Sequence, residues 1–155
     1  MHSVLKYLCV ALLCPIICMA SNFKLKPFPI PGSKAVIDIP VELNVCTSTK
    51  DRILLCTPDM TTSLLIIKHK NKTGKDVYIN AVATAKSNSL HIFGYRKIKN
   101  VYWLDYGSNK TRFFTIATEL EPSVAIEISY SLLDQNMAGY NLIRYQTSLQ
   151  SLKIG

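Results

Sequence analysis

The sequence predicts an all-β protein, an antiparallel immunoglobulin-like or fibronectin-like β-sandwich of about seven to eight strands, on three observations. Short apolar runs alternate with polar residues at a period of two, turn signals separate one run from the next, and no long stretch after Ala20 keeps a 3.6-residue period. A barrel is the alternative architecture. The chain has 155 residues, enough for one domain with a core and too few for two comfortable ones. Its 48% hydrophobic content excludes a disordered chain.

The elements are read around Ser63 to Ala85. Leu64, Leu65, Ile66 and Ile67 make a β-rich run, Asn71-Lys72-Thr73-Gly74-Lys75 a polar turn, and Val77, Ile79, Ala81 and Ala83 alternate beyond it. The spacing predicts a hairpin whose apolar side must lie on a second layer. Upstream, Pro27, Pro29 and Pro31 mark residues 21–33 as an extended leader, since proline donates nothing to a strand ladder. Ala35, Ile37, Ile39, Val41, Leu43 and Val45 share one side of the next strand, with Pro40 at an edge or at a change of partner. Residues 52–56 return after a polar turn. Further strands are expected at 90–95, 100–106, 111–118 and 124–130, with a final one from Tyr140 to Leu149. The domain would thus span 34–155.

Residues 1–20 have the layout of a cleaved secretory signal: one lysine, an apolar run broken by Pro15, and Cys18-Met19-Ala20 at the end. A membrane anchor is the rival reading, but the run is about 14 residues against the roughly 20 that span a bilayer. Cleavage removes Cys9, Cys14 and Cys18 and leaves Cys46 and Cys56, most simply one disulfide in an oxidising compartment. A loop that short would contribute roughly 3 kcal/mol through unfolded-state entropy. A zinc site would need more ligands than the neighbourhood of His69 or His91 offers in sequence. The formal charge of +8 falls to +7 without Lys6, which behind a signal suggests acidic partners or an anionic membrane surface and not nucleic acid.

No nucleophile elbow, zinc-protease helix, phosphate loop or dinucleotide turn is present, so no catalytic, metal or cofactor residues are assigned. Catalysis would require His69 or His91 to meet a carboxylate in a cleft. Asn71-Lys72-Thr73 and Asn109-Lys110-Thr111 fit the N-glycosylation pattern at expected turn tips. The candidate interaction surface is Tyr95, Arg96, Lys97 and Lys99, read as a basic connection, with Tyr102 just after it.

In order from about Leu64 to Ser151, several segments resemble the luminal domain of the alpha subunit of the translocon-associated protein complex, the signal-sequence receptor. They are Asn71-Lys72-Thr73-Gly74 after an apolar strand, the aromatic stretch Leu90 to Trp103, and Arg112-Phe113 through Glu121-Pro122. Ile126 to Tyr130 with Asp134, and then Tyr145-Gln146-Thr147, complete the series. The resemblance is to a divergent form without the family's transmembrane helix and acidic segment. It implies an immunoglobulin-like, non-enzymatic domain of the endoplasmic reticulum lumen. Its partners would be the translocation channel, sister subunits or the nascent chain, whose translocation it would assist. A secreted adhesion or host-interaction module is the alternative.

Overall fold

The computed structural model describes residues 24–136 and 139–155, so the expected signal segment at 1–20 lies outside the described residues. The molecule is mainly antiparallel β, with two sheets stacked as the sequence predicts. The layers are unequal. Strands β3 (Asn44–Ser48), β4 (Arg52–Cys56), β5 (Thr62–Lys70), β6 (His91–Ile98), β7 (Val101–Gly107), β8 (Thr111–Glu121) and β9 (Val124–Leu133) form one sheet in the order β3-β4-β5-β9-β8-β7-β6. Strands β1 (Leu25–Pro29) and β2 (Val36–Pro40) form the second. Helices α1 (Gly74–Ser87) and α2 (Gly139–Gln150) supply the remaining cover.

The pleat divides the large sheet into two chemically different faces. Leu64 and Ile66 of β5, Ile126, Ile128, Tyr130 and Leu132 of β9, and Phe114 and Ile116 of β8 point to one side and are buried. They meet Ile30, Ile37, Ile39 and Leu43 of the small sheet and its flanks, with Tyr145 and Leu149 of α2, in the main core. On the other side Ala117 and Ala125 lie under Val77 of α1, with Tyr78 and Tyr102 at the margin.

The leader is part of the domain. Residues 25–29 pair with 40–36, and Ile30 is 1% exposed. Pro40 ends β2 at the point where the partner changes, because the chain passes there from β1 in the small sheet to β4 in the large one.

Two expected strands are helices. Val77, Ile79, Ala81 and Ala83 look alternating, but the residues withdrawn from solvent are Gly74, Val77, Tyr78, Ala81, Val82 and Ala85, a 3.6-residue stripe. Thr73 caps the helix: its hydroxyl accepts from the Asp76 amide at 3.1 Å, and the Asp76 carboxylate accepts from the Thr73 amide at 3.0 Å. That capping pattern, followed by an alanine-rich run, outweighs the apparent alternation. Gly74 is required by proximity, since a Cβ there would stand 2.8 Å from the Thr118 Cα. The final strand expected over 140–149 is α2, whose Leu142, Tyr145 and Leu149 face the core at helical spacing.

Hydroxyl groups latch α2 across the core. Tyr130 and Ser148 hydroxyls are 2.6 Å apart, Ser148 donates to the Asp38 carbonyl at 2.5 Å, and the Asp38 amide donates to Ser151 Oγ at 2.7 Å. Arg144 adds a bidentate pair to Glu42, at 2.5 and 2.6 Å. Ser148→Ala leaves two buried polar groups without their partner and is expected to cost about 1–3 kcal/mol in urea unfolding. Tyr130→Phe, which leaves the bond from Ser148 to the Asp38 carbonyl in place, should cost less in the same measurement.

Candidate functional site

The basic connection expected at 96–99 is mostly strand. β6 runs on to Ile98, pairs with Val101, and turns through Lys99 and Asn100 alone, with Lys99 at a φ of 54°. Arg96 and Lys97 therefore project from the outermost strand of the large sheet, on opposite faces. Arg96 is opposite Trp103 and its guanidinium lies 5.0 Å from the indole centroid, on the α2 side. Lys97 is opposite Tyr102 and its ammonium lies 5.1 Å from that ring, on the α1 side, where Tyr78 stacks on Tyr102 at 5.3 Å. Tyr95, 75% exposed, shares the α1 side. The five residues thus wrap the free edge of β6 instead of forming one flat patch.

Each cation–aromatic pair holds a long side chain against an apolar ring while leaving its charge in water. Arg96, Lys97 and Lys99 have no carboxylate partner among the described residues, whereas Arg112, Arg144 and Lys70 do. Phe93 and Ile98 on β6 and Ile79 on α1 are also exposed, adding apolar area around the charges.

Below the edge on the α2 side is a cleft of about 230 Å³. Gly94, Arg96, Trp103, Asp105, Phe114 and Gln146 line it. It exists because a β-bulge between Ile92 and Gly94 shifts β6 against β7, and because Gly94 has no side chain to fill the space. Asp105 accepts from Arg112 Nε at 2.6 Å and from its terminal nitrogen at 2.8 Å. That bidentate bond to the Asp105 carboxylate raises the Arg112 pKa further, and the guanidinium covers Phe93 at 3.8 Å. Sequence reading missed Gly94, Asp105 and Gln146. The glycine inside a strand pattern was the available sign of a bulge.

The other face carries a polar group whose assembly depends on long-range register. His69 Nε2 is 2.8 Å from Glu127 Oε2, so folding does bring a histidine to a carboxylate. Nearby, Thr115 and Ser129 hydroxyls are 2.7 Å apart. Burial raises the Tyr106 pKa, with Glu127 adding to the effect and hydrogen bonds from Thr115 and Ser129 opposing it. His69 and Glu127 line none of the clefts at Gly94, Gly32 or Gly74. No cluster of three or more metal-ligating side chains occurs among the described residues. His91 is at the start of β6, exposed, with its ring edge-on to Phe93 at 4.7 Å.

The bond expected between Cys46 and Cys56 is not formed in this structure, where both are free thiols with their side chains next to each other. Cys56 pairs with Asn44, and a bulge between Val45 and Thr47 takes Cys46 out of the ladder. Cys56 is buried and Cys46 exposed. Burial, then the Cys46 side chain, push the Cys56 thiol up to about 11. Asn71 and Asn109 both stand exposed on turns, as expected. Asn71 has a φ of 56° in the tight turn before α1.

Comparison of the sequence with protein-family models and with curated proteins found no match. Of the segments that resemble the translocon-associated alpha subunit, Asn71 to Gly74 leads into α1 and Tyr145 to Thr147 lies within α2, while Arg112-Phe113 and Ile126 to Tyr130 are on strands.

The raised thiol gives a pH signature. The folded chain keeps the Cys56 proton where the unfolded chain, near its ordinary value of 9.0, releases it. Its contribution to stability is therefore full below pH 9 and lost as pH rises through about 11. Thermal unfolding at pH 8 and pH 10.5 should show a larger fall in Tm for the parent chain than for Cys56→Val.

Proposed function

We propose that this chain is a non-enzymatic binding module that meets a polypeptide partner through the wrapped edge of β6 and β7. The observation that carries the reading is the set of unpaired cations, Arg96, Lys97 and Lys99, two of them stacked on aromatic rings beside exposed Tyr95. Charge selects an acidic partner and speeds encounter, while the aromatic and aliphatic side chains supply the apolar contact. Internal ion pairs would have consumed those charges.

The setting we propose is the lumen of the endoplasmic reticulum, at the protein-translocation channel, where the module assists passage of nascent secretory and membrane proteins. Support for that setting comes from the signal-like residues 1–20 and from the resemblance in the strand-borne segments. No helix among the described residues is long and apolar enough to cross a membrane. Channel subunits or a peripheral contact with anionic lipid would hold the module in place. Passage along that route would place sugars on the exposed Asn71 and Asn109.

A photo-crosslinking amino acid at position 95 tests the reading in cells. The expected outcome is an adduct with a channel component, a sister subunit or a nascent chain, reduced at least tenfold by Arg96→Gln/Lys97→Gln/Lys99→Gln. Adducts with extracellular proteins would favour the adhesion alternative. Crosslinking no stronger than from Thr47, on the opposite edge of the sheet, would remove the proposal. Mobility unchanged by deglycosylation would count against the secretory setting.

A further inference from the structure

Resting on that reading, we infer that the cleft beside Gly94 is a recognition pocket for a single carboxylate presented by the polypeptide partner. The charge balance of its wall selects the ligand. Asp105 is neutralised by the bidentate Arg112, so the one uncompensated charge lining the space is Arg96. One free guanidinium matches a monoanion. A phosphate dianion would bring a second charge with no counterpart, close to the Asp105 carboxylate.

Geometry supports the same chemistry. A guanidinium presents a planar fork of donors suited to the two oxygens of a carboxylate. The stack on Trp103, at 5.0 Å, already restricts Arg96, so less side-chain freedom is lost on binding. Gln146 of α2 also lines the space with a side-chain amide, and Phe114 and Trp103 add aromatic surface for the methylene or backbone atoms next to the carboxylate. The opening exists because Gly94 lacks a side chain, and a Cβ built there meets no other atom within 4 Å. A larger residue at this position therefore has open space at its Cβ and extends into the cleft.

Trp103 is the sole tryptophan of the chain, so its emission reports on this pocket alone. Two probes distinguish the sources of the carboxylate: acetyl-Ala-Ala-Glu-Ala-Ala-amide, with only a side-chain carboxylate, and acetyl-pentaalanine with only a free C-terminus. Acetyl-pentaalanine-amide is the uncharged control. The expected result is a saturable change in Trp103 emission with at least one charged probe, at a Kd of about 1 mM, and none with the control. Arg96→Gln should weaken it at least tenfold and Gly94→Leu abolish it. Lys97→Gln, on the other face, should change it less than twofold. A response to the glutamate probe assigns an acidic side chain, and a response to the other a chain terminus.

No response to either probe, or an equal one in Arg96→Gln, overturns the assignment. So does an equal or stronger response to phosphatidylglycerol vesicles, whose headgroup is anionic through phosphate alone, than to both peptides, since the pocket would then read lipid phosphate. If peptide binding ignores Arg96 and Gly94 while crosslinking from position 95 still depends on Lys97 and Lys99, the pocket falls and the binding module stands. If the peptides titrate as expected and the crosslink is absent, the pocket stands and the broader function falls.

Discussion

The apolar stripe across the three central strands governs this molecule. Leu64, Ile66, Ile126, Ile128, Tyr130, Leu132, Phe114 and Ile116 are carried to one face by pairings that run along most of β5, β9 and β8. Burying such side chains stabilises by about 1.5–3 kcal/mol each, and the sheet cannot hide its own face. A cover must therefore be brought from elsewhere in the chain. It comes from both ends: the hairpin of β1 and β2 from the start, and α2 from the finish. Ser148 and Ser151, hydrogen-bonded to Asp38 and Tyr130, join these two pieces to each other and to the sheet.

That solution fixes where contact with other molecules can occur. The small sheet and α2 cover the middle of the stripe, and α1 covers β7, β8 and β9 on the reverse face. The last strand, β6, is only grazed by this cover, by α1 on one side and at the cleft by Gln146 of α2 on the other. Its side chains alternate between the two uncovered margins, which is why Arg96 meets Trp103 on one side and Lys97 meets Tyr102 on the other. Edge strands commonly carry lysine or a bulge to discourage pairing with other chains. Here the bulge also borders a cleft, and Arg96 lies over the Trp103 ring at its edge.

Much of this organisation could be read in the residues, and the exceptions have physical causes. The strands at 52–56, 62–70, 111–121 and 124–133 are rich in β-branched and aromatic residues bounded by turns, so their class was plain. Residues 77–83 misled because a valine, an isoleucine and two alanines happen to fall on alternate positions. Alanine contributes little to a hydrophobic period, and the Thr73–Asp76 cap carried the better information. In 140–149, Ile143, Tyr145 and Thr147 have β preference, but Leu142, Tyr145 and Leu149 satisfy the core only as a helix. The basic residues 96–99 stood out as a candidate contact surface and were expected in a loop, whereas charge alone does not end a strand and β6 runs on to Ile98.

The residues by themselves determined that the chain would be an antiparallel β molecule with stacked layers, since a period of two and the turn signals are local properties. They also marked the basic and aromatic segment around Tyr95, because charge and ring content need no partner to be seen. Only the tertiary structure decided which side chains share a site. Pairing of β5 with β9 sets His69 against Glu127, pairing of β7 with β8 sets Arg112 against Asp105, and the docking of α2 brings Gln146 to the cleft beside Gly94. Such juxtapositions depend on a relative shift of one residue between distant strands, and a linear sequence does not contain that shift until the core has been packed.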